Sequence, residues 1–276
     1  MTVEQSNKEF NNVSGSFGVT YEASKDLIFK FNVARGYRAP NLAELASNGA
    51  HEGTNRYEYG NSNLRSEKSL QFDLGAEWSN EHVSFAGNVF YNQVTDYIFY
   101  QKLLGANASD SIIVNEDGEE FFAFDFRQQN ANLYGAEFNL DIHPHPIDGL
   151  HFENTFSYVR GQFNTALDGS KNLPNIPSAR WITELRYEFG KGKGRFTNNY
   201  ISFQLDNTFA QNNAFTGYNT ETTTPAYHLV NVGMGTQFTK RGKTVCSLSL
   251  TAQNLTDVAY QNHLSRLKYT AVNEAT

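Results

Sequence analysis

The sequence predicts an all-β chain, an antiparallel up-and-down transmembrane β-barrel present in part, as about ten strands of a larger barrel. Three observations carry this. Apolar side chains recur at every second position, with charges held to the other side. Connections alternate between short and long. The chain is rich in aromatic residues, 22 Phe and 15 Tyr in 276 residues, yet polar on average, with a mean hydropathy of -0.54.

Alternation is cleanest from Ser69 to Trp78, where Leu70, Phe72, Leu74, Ala76 and Trp78 share one face and Ser69, Gln71, Asp73, Gly75 and Glu77 the other. Successive side chains of a strand point to opposite faces, so this segment has an apolar side backed by a polar one. A charge on a lipid-facing side costs about 2–4 kcal/mol near mid-membrane, which accounts for the exclusion. Two strands precede it, one carrying Val13, Phe17, Val19 and Tyr21 and one carrying Leu27, Phe29, Phe31 and Val33. After it come Val83, Phe85, Val89 and Tyr91, then Tyr134, Ala136, Phe138, Leu140 and Ile142, then Phe152, Phe156 and Tyr158, interrupted by Asn154. Trp181, Leu185, Tyr187 and Phe189 alternate with Glu184, Arg186 and Glu188. The last three sets are Ile201, Phe203 and Leu205; Val230, Val232, Met234 and Phe238; and Cys246, Leu248, Leu250 and Ala252.

Tight links are expected at 24–26, 79–82, 143–149, 190–194 and 240–243, and long loops at about 37–68, 102–119, 164–176, 211–225 and from 257 onward. Outer-membrane barrels have short periplasmic turns and longer extracellular loops, so the asymmetry orients every strand. Tyr21, Trp78, Tyr91, Tyr97, Tyr158, Trp181 and Phe189 fall near strand ends, where interfacial girdles sit. A soluble sandwich is the competing architecture, and it requires the apolar faces to meet across a core. A complete ten-stranded porin-like barrel is the other, and it requires the first strand to bond to the last.

Function classes narrow quickly. A net charge of -7 leaves no basic footprint for nucleic acid. The single cysteine, Cys246, has no internal partner and reads as a small apolar side chain. Neither a Gly-x-Ser-x-Gly nor a His-Glu-x-x-His pattern occurs, and no phosphate-binding loop does, so no enzyme is expected.

Ala34-Arg35-Gly36-Tyr37-Arg38-Ala39-Pro40-Asn41 and the later Gly60-Asn61-Ser62-Asn63-Leu64-Arg65-Ser66-Glu67-Lys68-Ser69 resemble TonB-dependent outer-membrane receptors. Asn130 to Glu137 is similar to a strand opening of that family, and Ala252 to Tyr260 to its penultimate strand and loop. This resemblance implies the C-terminal half of a 22-stranded barrel in the outer membrane, with the plug domain and the closing strand outside this stretch of chain. It also implies energy-coupled uptake of a metal complex, most readily a ferric siderophore, with haem or zinc as alternatives. The partners implied are that extracellular complex, the TonB energy-coupling complex acting through the plug, and outer-membrane lipids; no resident cofactor is expected.

Candidate ligand residues gather in the loop between the two motifs: Arg38, His51, Glu52, Arg56, Tyr57 and Tyr59. Imidazole suits iron and zinc alike, and haem- and zinc-uptake members carry histidines between comparable motifs, so His51 is the candidate metal ligand. Against that stands the plain reading, an exposed loop histidine with no second ligand at binding spacing. Tyr57 and Tyr59 are suited to stacking on a catecholate while Arg38 or Arg56 meets its charge; equally, they suit packing on the barrel rim. His143-Pro144-His145-Pro146 reads as a periplasmic bend fixed by its prolines, and the acidic run from Asp110 to Glu120 as a solvated loop without calcium-loop spacing.

Overall fold

In the computed structural model, residues 8–51, 55–190, 194–265 and 268 are described. Ten strands follow one another as neighbours in a single antiparallel sheet: β1 (Gly15–Ser24), β2 (Leu27–Arg38), β5 (Glu67–Ser79), β6 (Val83–Lys102), β8 (Glu120–Ile142), β9 (Leu150–Leu167), β11 (Arg180–Phe189), β12 (Phe196–Thr208), β13 (Tyr227–Lys240) and β14 (Lys243–Ala252). Four short strands lie in the loops: β3 (Asn48–His51), β4 (Arg56–Tyr59), β7 (Ile112–Val114) and β10 (Ser170–Asn172). The neighbour order never departs from chain order, the signature of up-and-down connectivity.

The two faces of this sheet meet different surroundings. Phe72, Leu74, Val89, Leu185, Ile201, Phe203, Met234 and Leu248 all stand exposed on one side, Leu74 by 55% of its surface. On the other side, polar groups bond to one another across strands. Lys30 Nζ reaches Glu77 Oε1 at 2.5 Å and Asn32 Nδ2 donates to Asp73 at 3.1 Å. Further round, Thr155 donates to Asn139, Gln204 to Glu184 and Asn231 to Gln204, at 2.9, 3.0 and 2.9 Å. A soluble sandwich is thereby excluded, because the apolar sides do not face one another but form a continuous outer belt. Cys246 belongs to that belt: it is exposed, so its apolar surroundings are the lipid side rather than a protein core.

Asn154, the break in the apolar series of β9, is 6% exposed. Its Oδ1 accepts from Trp181 Nε1 at 3.1 Å and from Thr183 Oγ1 at 2.9 Å. Phe138, Phe156 and Trp181 stack around it, with ring centroids 5.4 to 5.7 Å apart. The amide is therefore satisfied beneath an aromatic cover, which a lone polar group on a lipid face would need.

β1 and β14 are exposed at every position and are not paired with each other. That decides against the closed ten-stranded barrel: the sheet is an open arc of a wider one.

Three wall strands continue past the bilayer-length part. β6, β8 and β9 run for 20, 23 and 18 residues, against the nine to eleven or so that a tilted crossing needs. Their outer extensions hold a core of their own, in which Phe99, Ala131 and Phe163 pack against Leu173, Ile176 and Phe215 from two different loops. Gly161 permits this: a Cβ there would lie 2.7 Å from Leu173 Cδ1 and 2.8 Å from Ile176 Cδ1.

Candidate functional site

The loop after β2 is built by local rules. Pro40 lacks an N–H and ends pairing; Asn41 then caps a short helix, α1 (Leu42–Ala46), as part of a capping box in which Asn41 Oδ1 accepts from Glu44 N and Glu44 Oε2 accepts from Asn41 N, both at 2.8 Å. Arg38 Nη1 donates to Glu44 Oε1 at 2.8 Å, and its Nη2 lies 3.3 Å from Glu67 Oε2 at the start of β5. The Arg38 guanidinium thus ties the two ends of the loop to its helix.

β3 and β4 then form a hairpin with His51 opposite Arg56 and Gly49 opposite Glu58. Paired residues share a face, so His51, Arg56 and Glu58 project to one side and Tyr57 and Tyr59 to the other. β4 also pairs in parallel with residues 122–125 of β8. At that height β6 still holds the opposite edge of β8, while β9 pairs with β8 only from Ala131 onward. β4 therefore takes the edge that β9 has left, removing an exposed edge and fixing Arg56, Tyr57 and Tyr59 at the barrel mouth.

The hairpin's two faces differ chemically. On one, the Tyr57 and Tyr59 rings lie 5.0 Å apart and Tyr57 Oη donates to Asn48 Oδ1 at 3.0 Å. On the other, the Arg56 guanidinium lies over Tyr100 at 4.2 Å and over Phe124 at 4.8 Å, and its Nη2 donates to Tyr100 Oη at 3.3 Å. His51 Nε2 is 3.4 Å from Glu58 Oε2, with half of the imidazole side chain exposed. Glu52 lies outside the described residues.

Arg56 and Tyr100 open onto a cavity of 310 Å³ whose lining includes Asn175, Glu221, His263 and Lys268. Asn175 Nδ2 donates to Tyr100 Oη at 2.6 Å. Glu221 accepts from the backbone N–H groups of Asn175 and Phe215 at 3.0 and 3.1 Å, and His263 Nε2 stands 3.7 Å away, too far for a hydrogen bond. Burial pushes the Glu221 carboxyl up, but the imidazole and the two backbone donors outweigh it and hold its pKa below the ordinary value. Nearby, burial foremost and the Glu67 charge next push the Tyr97 phenol up to about 12, so it stays neutral. The mouth is thus a basic and aromatic pocket resting on a buried Glu–His pair.

Of the residues expected from sequence, the structure brings together Arg56, Tyr57, Tyr59 and His51 on one hairpin. Arg38 sits below them in its two ion pairs. Tyr100, Asn175, Glu221, His263 and Lys268 were not expected. They arrive from four separate segments, and no spacing links them; only Tyr100, on the strand that outruns its membrane length, carried any signal.

The profile of the family described as TonB dependent receptor-like, beta-barrel, matches residues 2–255. Among curated proteins, the probable hemoglobin and hemoglobin-haptoglobin-binding protein 4 of Haemophilus influenzae is 23% identical over 186 residues, covering 66% of this chain and 18% of that protein. The copper transporter OprC superposes with a TM-score of 0.68 at 15% identity, over 91% of this chain and 34% of that one. The ferric enterobactin receptor PfeA of Pseudomonas aeruginosa, in its G324V form, gives 0.60 at 18% identity over 90% and 35%. The siderophore receptor PirA of Acinetobacter baumannii gives 0.59 at 17% over 92% and 38%. The chain spans little more than a third of the length of these structures, and less of the hemoglobin-binding protein. At these identities the structures share the fold with this chain, and the likeness carries no further than that.

Proposed function

We propose, for a chain that belongs to the TonB-dependent receptor-like β-barrel family of the outer membrane, that it forms part of the barrel wall and the ligand-capturing mouth of a receptor for energy-coupled uptake of a metal complex, a ferric siderophore of the catecholate type. The observation that carries this is the placement of Arg56. Its cation lies over two aromatic rings at the entrance of a polar cavity, and Tyr57 and Tyr59 stand on the other face of the same hairpin. A ferric catecholate is anionic and aromatic, so it meets both the charge and the π faces of this mouth. Inward movement belongs to a plug domain pulled by the TonB complex from the periplasm; such movement requires the ligand to bind the plug's two states differently.

Binding of a ferric catecholate to the intact receptor, followed by fluorescence quenching, tests this reading. Arg56→Ala is expected to weaken binding about tenfold, the size of one desolvated cation–π and hydrogen-bond set. Unchanged affinity in a folded Arg56→Ala receptor defeats it.

The second reading is haem uptake, supported by the hemoglobin-binding relative and by His51 on the same hairpin. It requires haem binding that is lost in His51→Ala and kept in Arg56→Ala, the reverse of the siderophore pattern. Zinc uptake requires the same loss in His51→Ala with zinc as the ligand.

A further inference from the structure

At the opposite end of the wall, β8 runs into its turn and β9 returns, and three ligand-bearing side chains converge there. Asp141 alternates with the outward Leu140 and Ile142, so it faces the lumen; His143 follows two residues later, and His151 stands opposite Arg186 on the same inner side. Asp141 Oδ2 is 2.5 Å from His143 Nε2 and 3.3 Å from His151 Nδ1. The two imidazoles lie 4.7 Å apart at 72° to each other. One donor atom from each of the three residues falls within 4.8 Å of the others. The backbone beneath is pinned, because His143 N donates to His82 O at 2.7 Å.

A hydrogen-bonded clasp does not satisfy this cluster. Asp141 Oδ1 and His151 Nε2 are both shielded from solvent and without a hydrogen-bond partner, and a buried polar atom left unpaired is destabilising. A tetrahedral ion with bonds of about 2.0–2.1 Å places its ligands about 3.4 Å apart, close to the 3.3 Å between Asp141 Oδ2 and His151 Nδ1; the 2.5 Å contact of His143 Nε2 with the same oxygen is a hydrogen bond, which a metal ion replaces as the His143 ring moves back by about an ångström.

We propose that Asp141, His143 and His151 form a binding site for a divalent transition-metal ion of the zinc class on the inner wall at the periplasmic end. Two nitrogens and one carboxylate favour zinc, nickel or copper over calcium and magnesium, which take oxygen ligands. Three protein ligands leave a fourth position open to water or to a group brought by a neighbouring segment. The site stands on wall residues alone and does not depend on which complex the mouth captures. His145 is not part of it: its Nδ1 pairs with Asp148 at 3.0 Å on the exposed side of the turn.

The test is equilibrium dialysis of the intact detergent-purified receptor against zinc chloride, with metal content measured afterwards, and cobalt(II) titration followed by visible absorption. One zinc per chain is expected, together with the intense cobalt bands of a tetrahedral nitrogen and oxygen site. His143→Ala/His151→Ala, its folding checked by heat-modifiable gel mobility, is expected to lower affinity at least tenfold, and His51→Ala to leave it unchanged. Absence of zinc and of the cobalt bands in the unmutated receptor overturns the proposal whatever the variants do. So does retention of zinc by the folded double variant, or its loss in His51→Ala.

Discussion

The wall and the outer rim are made from the same strands and obey different physics. Within the bilayer-length part, every second side chain of β5, β6 or β11 meets lipid and the others meet the polar interior, so both faces are decided by solvent. Past that height the same strands are covered by loops, and Phe163, Phe215 and Leu173 are at most 2% exposed. Alternation there no longer separates oil from water; it separates two packed surfaces. A wall residue is therefore constrained by its polarity and a rim residue by its shape.

Six substitutions sharpen that contrast. Phe163→Ala removes a ring that touches Tyr97, Phe99 and Phe215 and is expected to destabilise the rim by about 3–5 kcal/mol. Phe72→Ala on the lipid face is expected to cost far less, as urea unfolding of the refolded receptor in vesicles would show. Leu74→Arg in the wall is expected to cost about 2–4 kcal/mol, whereas Asp73→Asn, one residue away, stays within about 1 kcal/mol; equal costs would erase the distinction between the faces. Trp181→Phe keeps the aromatic cover over Asn154 but removes one of its two donors, an expected loss of about 1 kcal/mol by the same unfolding measurement. Smallest is His51→Ala, expected to shift stability by less than about 0.5 kcal/mol, since its contact with Glu58 is half exposed.

Acidity is a further lever on the rim. The carboxyl of Glu221 is held below its ordinary pKa in the folded state, so it stabilises the rim above that ordinary value and loses the contribution as pH falls through the lowered one. The hydrogen-exchange protection factors of the Asn175 and Phe215 amides, whose N–H groups it binds, are expected to fall on acidification below about pH 4.5. In Glu221→Gln that fall is expected to flatten; an unchanged acid response would remove Glu221 from the explanation.

How far each region could be read from sequence follows from the same contrast. All ten wall strands were legible because alternation is local: Leu70 to Trp78 announces its two faces without reference to any partner. The short turns and long loops were equally plain. The rim was not. That β4 would add in parallel to β8 depends on β9 having left that edge, a fact about strand lengths rather than about Arg56 or Tyr59. His263 meets Thr224 across 39 residues, and no periodicity links them. Arg38 looked available for a ligand, but its engagement by Glu44 depends on the capping box that folds the acid back. The inner-wall trio lies between these cases. Asp141 and His143 share a face by spacing alone, and a tight turn returns His151 to it; reading the His-Pro-His-Pro run as a bend left His151 out.

Spin-label accessibility along β5 tests the two-faced wall most directly. With Cys246 replaced by serine, single cysteines from Leu70 to Glu77 in the intact receptor in vesicles are labelled, and their collisions with dissolved oxygen are measured. Collision rates are expected to peak at 70, 72, 74 and 76 and to fall at 71, 73, 75 and 77. A flat profile, or one with the opposite phase, would contradict the account.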